Sequence, residues 1–179
     1  MLHERVHFMI QVRCTKKVQD FIGVKKANLF PITNSNAILG SWVANIFVQN
    51  RRKVICFMNE RTLLSFIITG VKKPHAKNVI KSLPIVLEQI LTFEGIPPEI
   101  IKNALCNCNE IELTSTNSRK LLGNMNDLIH MYQMLISMDG GLNQCDLTSI
   151  IKRINRTPQR VLEWESSIKV THDLLACAT

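Results

Sequence analysis

From Trp42 onward the chain offers three short apolar, β-branched runs, Trp42 to Gln49, Lys53 to Met58 and Thr62 to Thr69. They are parted by Asn50-Arg51-Arg52 and Asn59-Glu60-Arg61 and closed by Gly70. Short strands joined by polar turns predict an antiparallel meander. Upstream, Met9 to Cys14 alternates and reads as a further strand. A helical turn from Thr15 to Ile22 follows it, stopped by Gly23, and residues 24–40, with Pro31 and an Asn/Ser cluster, read as a loop.

Beyond Pro74 the period changes. Val79, Ile80, Leu83, Leu87, Ile90 and Leu91 recur at helical spacing up to Gly95, with Pro84 placed to kink the helix or delay its start. Pro97-Pro98-Glu99 opens a short helix through Leu105, and Glu110 to Thr114 alternates as a strand. From Ser118 to Asp139, Leu121, Met125, Leu128, Ile129, Tyr132, Leu135 and Ile136 share one helix face, and Gly140-Gly141 ends it. Met131, Met134 and Met138 lie on its shoulder, as core filling or as the lining of an adaptable groove. Asp146 is placed to cap a last apolar stripe of Leu147, Ile150, Ile151 and Ile154. These elements predict one α+β domain over residues 9–179, an antiparallel sheet of about four or five strands covered by helices, with residues 1–8 as an N-terminal extension.

Composition narrows the class. A chain of 179 residues, 46% hydrophobic and 20% charged, can bury a core without disulfides or metal. The six cysteines show no CxxC spacing, and Cys14 and Cys56 sit in apolar strands, so reduced thiols in a cytoplasmic protein are expected. No stretch approaches the ~20 apolar residues of a membrane span. The net charge is +8, and it is uneven: residues 1–80 hold 13 Lys+Arg against 3 Asp+Glu, residues 81–179 hold 9 against 11. A basic half suits nucleic acid or an acidic protein, or is simply a solvated face.

The strings IQVRCTKK, LGSWVANIF, RRKVICFMNERTLLSFIITG, LLGNMNDL and INRTP, in this order between Ile10 and Pro158, resemble a bacterial single-domain family of unknown function. The resemblance spans roughly residues 9–160 and implies no catalytic residue.

Four candidate sites remain. His3-Glu4-Arg5-Val6-His7 spells the HExxH of zinc peptidases, but at a ragged terminus and without a third ligand it is read as accidental, and no metal or cofactor is expected. Arg119, Asn124, Asn126 and Asp127 around Gly123 form a polar cluster at a helix start, suited to a polar ligand or to an ordinary exposed face in which Gly123 permits close packing. Leu147 to Trp164 resembles the last two helices of a helix-turn-helix. Asn155 would lie in the turn, Thr157 would cap the second helix, and Arg156, Gln159 and Arg160 would be presented to DNA. Glu163 and Glu165 oppose that role. Finally, Arg51, Arg52 and Lys53 gather in the first turn of the meander as phosphate contacts. The reading is a binding or regulatory protein with nucleic acid as leading partner. A protein-interaction module, such as the partner of a toxin, is the alternative, and an enzyme comes third.

Overall fold

A computed structural model describes residues 9–105, 108 and 110–178; the expected extension and its HExxH string lie outside them. Five strands form one sheet: β1 (Met9–Cys14), β2 (Trp42–Gln49), β3 (Arg52–Asn59), β4 (Ser65–Ile68) and β5 (Glu110–Ser115). Their order is β4-β3-β2-β1-β5. The meander β2-β3-β4 is antiparallel as predicted. The whole sheet is not. β1 runs parallel to both β2 and β5, so the expected antiparallel sheet is corrected to a mixed one. The reason lies in the connections, since parallel neighbours need a crossover rather than a turn. α1 (Lys16–Ile22) and the loop after it carry the chain from β1 to β2; α2 (Ala76–Lys81), α3 (Leu83–Phe93) and α4 (Pro98–Leu105) carry it from β4 to β5.

Strand alternation divides the sheet into two faces. One bears Ile10, Val12, Trp42, Ala44, Ile46, Ile55, Phe57 and Phe66, in register with one another. α1 packs on this side, with Lys53 Nζ 4.4 Å from the centroid of the Phe21 ring. The other face carries Asn45, Gln49, Cys56 and Ser65 and lies under α5 (Arg119–Met138), which it meets through Gln49 Nε2 donating to Ser137 Oγ at 3.0 Å. α6 (Leu147–Arg156) and α7 (Ser167–Ala176) complete the fold, α6 packing on both β4 and α5.

Local chemistry explains where the elements begin. Ser118 accepts from the Leu121 amide and Asp146 from the Thr148 amide, capping α5 and α6 as predicted for the latter. The single helix expected after Pro74 is two, α2 and α3, broken at Ser82, because Pro84 fits only the first turn of a new helix. β4 starts at Ser65 rather than Thr62. Asn59 Oδ1 accepts from the amides of Arg61 and Thr62, and Asn59 Nδ2 donates to Leu39 O at 2.8 Å, which folds residues 60–64 into a loop. Between β2 and β3, Asn50 and Arg51 have φ of 47° and 62°, the doubly left-handed pair of a tight two-residue hairpin.

Candidate nucleic-acid interface

The helix-turn-helix expectation meets a different chain path. No α-helix starts at Pro158: residues 158–166 form a hairpin-like loop with one 3-10 turn at Arg160–Leu162, and α7 begins only at Ser167. The Gln159 amide donates to Glu165 O and the Trp164 amide to Gln159 O, which closes the loop, while Glu163 and Trp164 both take left-handed backbone. Thr157 donates its hydroxyl back to Arg153 O at 2.8 Å instead of capping a new helix. The cap of α7 is Ser166, accepting from the Lys169 amide.

The other residues expected to form that element are spread accordingly. Gln159 Nε2 donates to Ser167 Oγ, and Arg160 stands exposed on the loop. Arg156 pairs at 2.9 Å with Glu94, whose side chain is wholly enclosed, so this cation neutralises a carboxylate of its own chain. Asn155, expected in the turn, is buried at the end of α6. Its Oδ1 accepts from the Ser65 amide at 2.9 Å, and its Nδ2 donates to Ser65 O at 2.8 Å, as a neighbouring strand would.

Arg119, Asn124, Asn126 and Asp127 occupy the first half of α5, and none of them is buried. Gly123 beside them permits no close packing, because a Cβ built on it meets nothing within 4 Å. Its helical position then carries only the entropic cost of glycine. Gly123→Ala is expected to raise stability by about 0.5–1 kcal/mol, read as a higher urea midpoint with an unchanged slope; an unaltered or lower midpoint contradicts it. Of the methionines on α5, Met134 and Met138 are 50% and 70% exposed, so they fill no core.

The basic triplet of the first hairpin is divided by the strand itself. Arg51 sits at the exposed tip, Arg52 pairs with Gln49 on the α5 side, and Lys53 pairs with Val48 on the α1 side. Lys53 there joins two lysines distant in sequence. Lys17 of α1, Lys53 of β3 and Lys73, in the 3-10 turn Lys73–His75, line one groove of about 400 Å³ with Asp20. Its floor is apolar: Phe21, Ile46 and Val48. Val48 is 57% exposed, an uncovered apolar position on an otherwise buried strand. Asp20 is held by Lys16 at 2.8 Å. Lys77 and Lys81 of α2 line a second depression that reaches Phe30 and Ile111 of the sheet edge, where Lys81 also shares a hollow with Glu110 and Glu112 of β5. Residues 21–87 contain ten Lys+Arg and one acidic residue, Glu60. That acid faces away, paired with Arg13 at 2.8 Å.

The remaining polar interior is structural. Burial pushes the Cys14 thiol up to about 12 and the Cys56 thiol higher still, which makes both poor nucleophiles. Burial, and secondarily Cys56, also keeps the Tyr132 hydroxyl protonated well above its usual range, where it shares a 3.1 Å hydrogen bond with Ser65 Oγ. Among the described residues no group of three His, Cys, Asp or Glu converges as a metal site, and no described helix is long and apolar enough to cross a membrane.

Residues 11–170 match a family described as a domain of unknown function, DUF6933. The chain belongs to that family. The match takes in β1 from Gln11 onward, the other four strands and the first six helices, so the lysine-lined groove lies within the DUF6933 domain. No curated protein and no solved structure matches the chain.

Proposed function

We propose that this DUF6933 domain is a nucleic-acid-binding protein, and that the interface is the lysine-lined side formed by α1, the first hairpin and residues 72–81. The observation that carries the reading is the convergence of Lys17, Lys53 and Lys73 on one groove. Cations fixed along a surface attract phosphates and release the counterions condensed on them, so binding falls steeply with salt. Flexible ammonium groups suit phosphate contact better than readout of base edges, and the reading is accordingly of sequence-independent affinity. Arg156, Thr157, Gln159 and Arg160 are left outside this interface, since Arg156 and Gln159 are engaged within the chain and Glu163 and Glu165 follow Arg160 on the same loop.

The test is fluorescence anisotropy with 20-residue labelled oligonucleotides, single- and double-stranded, at about 50 and 200 mM salt, where phosphate binding is strong and weak respectively. Wild type should bind at the lower salt. The triple change Lys17→Glu, Lys53→Glu, Lys73→Glu should weaken binding at least tenfold and lower the salt slope by about two to three units, whereas Arg160→Ala should leave the affinity within about twofold of wild type. Absence of binding by wild type at low salt, or a triple variant that binds unchanged, overturns the proposal.

A second reading, a protein-interaction module, is favoured by the loop 158–166. Its Val161 and Trp164 are 50% and 68% exposed, Trp164 between Glu163 and Glu165, an apolar tip suited to a basic partner protein.

A further inference from the structure

The lysine-lined groove has an apolar floor that phosphate contact alone does not call for. A duplex presents charge outside and keeps its base faces stacked within, so a duplex binder needs cations on a surface and gains little from an apolar hollow. Here the cations stand around a depression of about 400 Å³, floored by Phe21, Ile46 and Val48. That size lies in the range of small-ligand sites, roughly 300–1,000 Å³, room for one nucleotide and far too little for a base pair stack.

We propose that the groove takes a single unpaired base of a single-stranded nucleic acid. Lys17, Lys53 and Lys73 hold the phosphates on either side of it. This rests on the nucleic-acid reading above and specifies the form of the ligand. The ring that receives the base is Phe21. At present its face is covered by the Lys53 ammonium, 4.4 Å from the ring centroid, and the ring is 6% exposed. Lys53 itself is exposed, on a flexible stem at the end of a strand. A phosphate entering the groove offers that ammonium a full negative charge in exchange for a cation–π contact worth little at an exposed site. Drawn to the phosphate, Lys53 uncovers the ring, and an aromatic face flanked by cations is how strands are gripped without regard to sequence. The exposed Val48 completes the wall on which the base edge rests.

The experiment compares three probes of equal length on the intact chain: an oligothymidylate, an abasic strand with the same phosphates but no bases, and a duplex. The oligothymidylate should bind at least about fivefold more tightly than the abasic strand, the low end of the gain from one base–aromatic contact, and more tightly than the duplex. Phe21→Leu keeps an apolar core residue and removes the ring; it should bring the oligothymidylate down to the level of the abasic strand, which should itself bind unchanged. Val48→Ser, at a position already 57% exposed, should move the same way by a smaller factor if Phe21→Leu fails to fold. Equal binding of oligothymidylate and abasic strand, or tighter binding of the duplex, overturns the base pocket while leaving nucleic-acid binding intact. Binding of none of the three probes removes both readings.

Discussion

Replacing Asn155 with alanine is expected to destabilise the fold by about 2–4 kcal/mol, because it strands buried partners rather than merely deleting a contact. The Ser65 amide and carbonyl belong to β4, one of the two edge strands of the sheet, and both are bonded to the Asn155 carboxamide at 2.9 and 2.8 Å. Asn155 and Ser65 are fully buried, so water cannot replace the lost group without opening the space between α6 and the sheet. The Ser65 hydroxyl, lying 3.4 Å from Asn155 Oδ1 and 3.1 Å from the Tyr132 hydroxyl, would also be disturbed. Equilibrium urea unfolding followed by circular dichroism measures the effect, and a loss below about 1 kcal/mol would mean that water or a neighbour restores the bonds.

The Phe57→Ala variant should lose still more, about 3–5 kcal/mol, as large-to-small changes in a rigid core do. Phe57 has no exposed surface, stacks on Phe66 with centroids 5.0 Å apart at 19°, and stands opposite Ala44 in the middle of the sheet. Phe66 in turn meets Trp42 at 5.8 Å, so the cavity would open inside a cluster of three rings. β-Strands on either side hold the walls apart and limit collapse. The readout is again urea unfolding, and a change under about 1 kcal/mol would contradict the rigidity of this cluster.

What could be read from the sequence was local. The meander was legible because its strands are consecutive and its turns polar, and α5 and α6 because their apolar stripes and caps lie within a few residues of one another. The parallel pairing of β1 was not, since nothing in Met9 to Cys14 says that its neighbour is Glu110–Ser115 rather than a nearer run. The helix expected at Pro158 failed for a related reason. Thr157-Pro158 is a sound helix start in isolation, but the backbone bonds of Gln159 to Glu165 and Trp164 take the chain into a loop first.

For the candidate site, adjacency misled. Arg51, Arg52 and Lys53 look like one cluster, yet alternation in β3 sends Arg52 and Lys53 to opposite faces, and only Lys53 reaches the groove. Lys17 and Lys73 reach it through tertiary packing of α1 on the 3-10 turn after β4. Two signals did point there. One is the spacing of Lys17 and Phe21, one helical turn apart on α1. The other is the near absence of acidic residues from 21 to 87.

The interior position of β1 bears on how the chain is made. Gln11 meets Glu112, 101 residues later, so at the usual pace of synthesis, about 5–20 residues per second, β1 waits roughly 5–20 seconds for its second neighbour. Throughout that interval the unpaired edge of β1, whose Ile10, Val12 and Cys14 point to one face of the sheet, is open to pairing with another emerging copy. The part already emerged is the part that carries ten cations against one acid between residues 21 and 87. Two unfinished chains that come within about a Debye length, roughly 8 Å, therefore repel one another while β1 is exposed. Like charge on both copies opposes the pairing of one unfinished sheet with another.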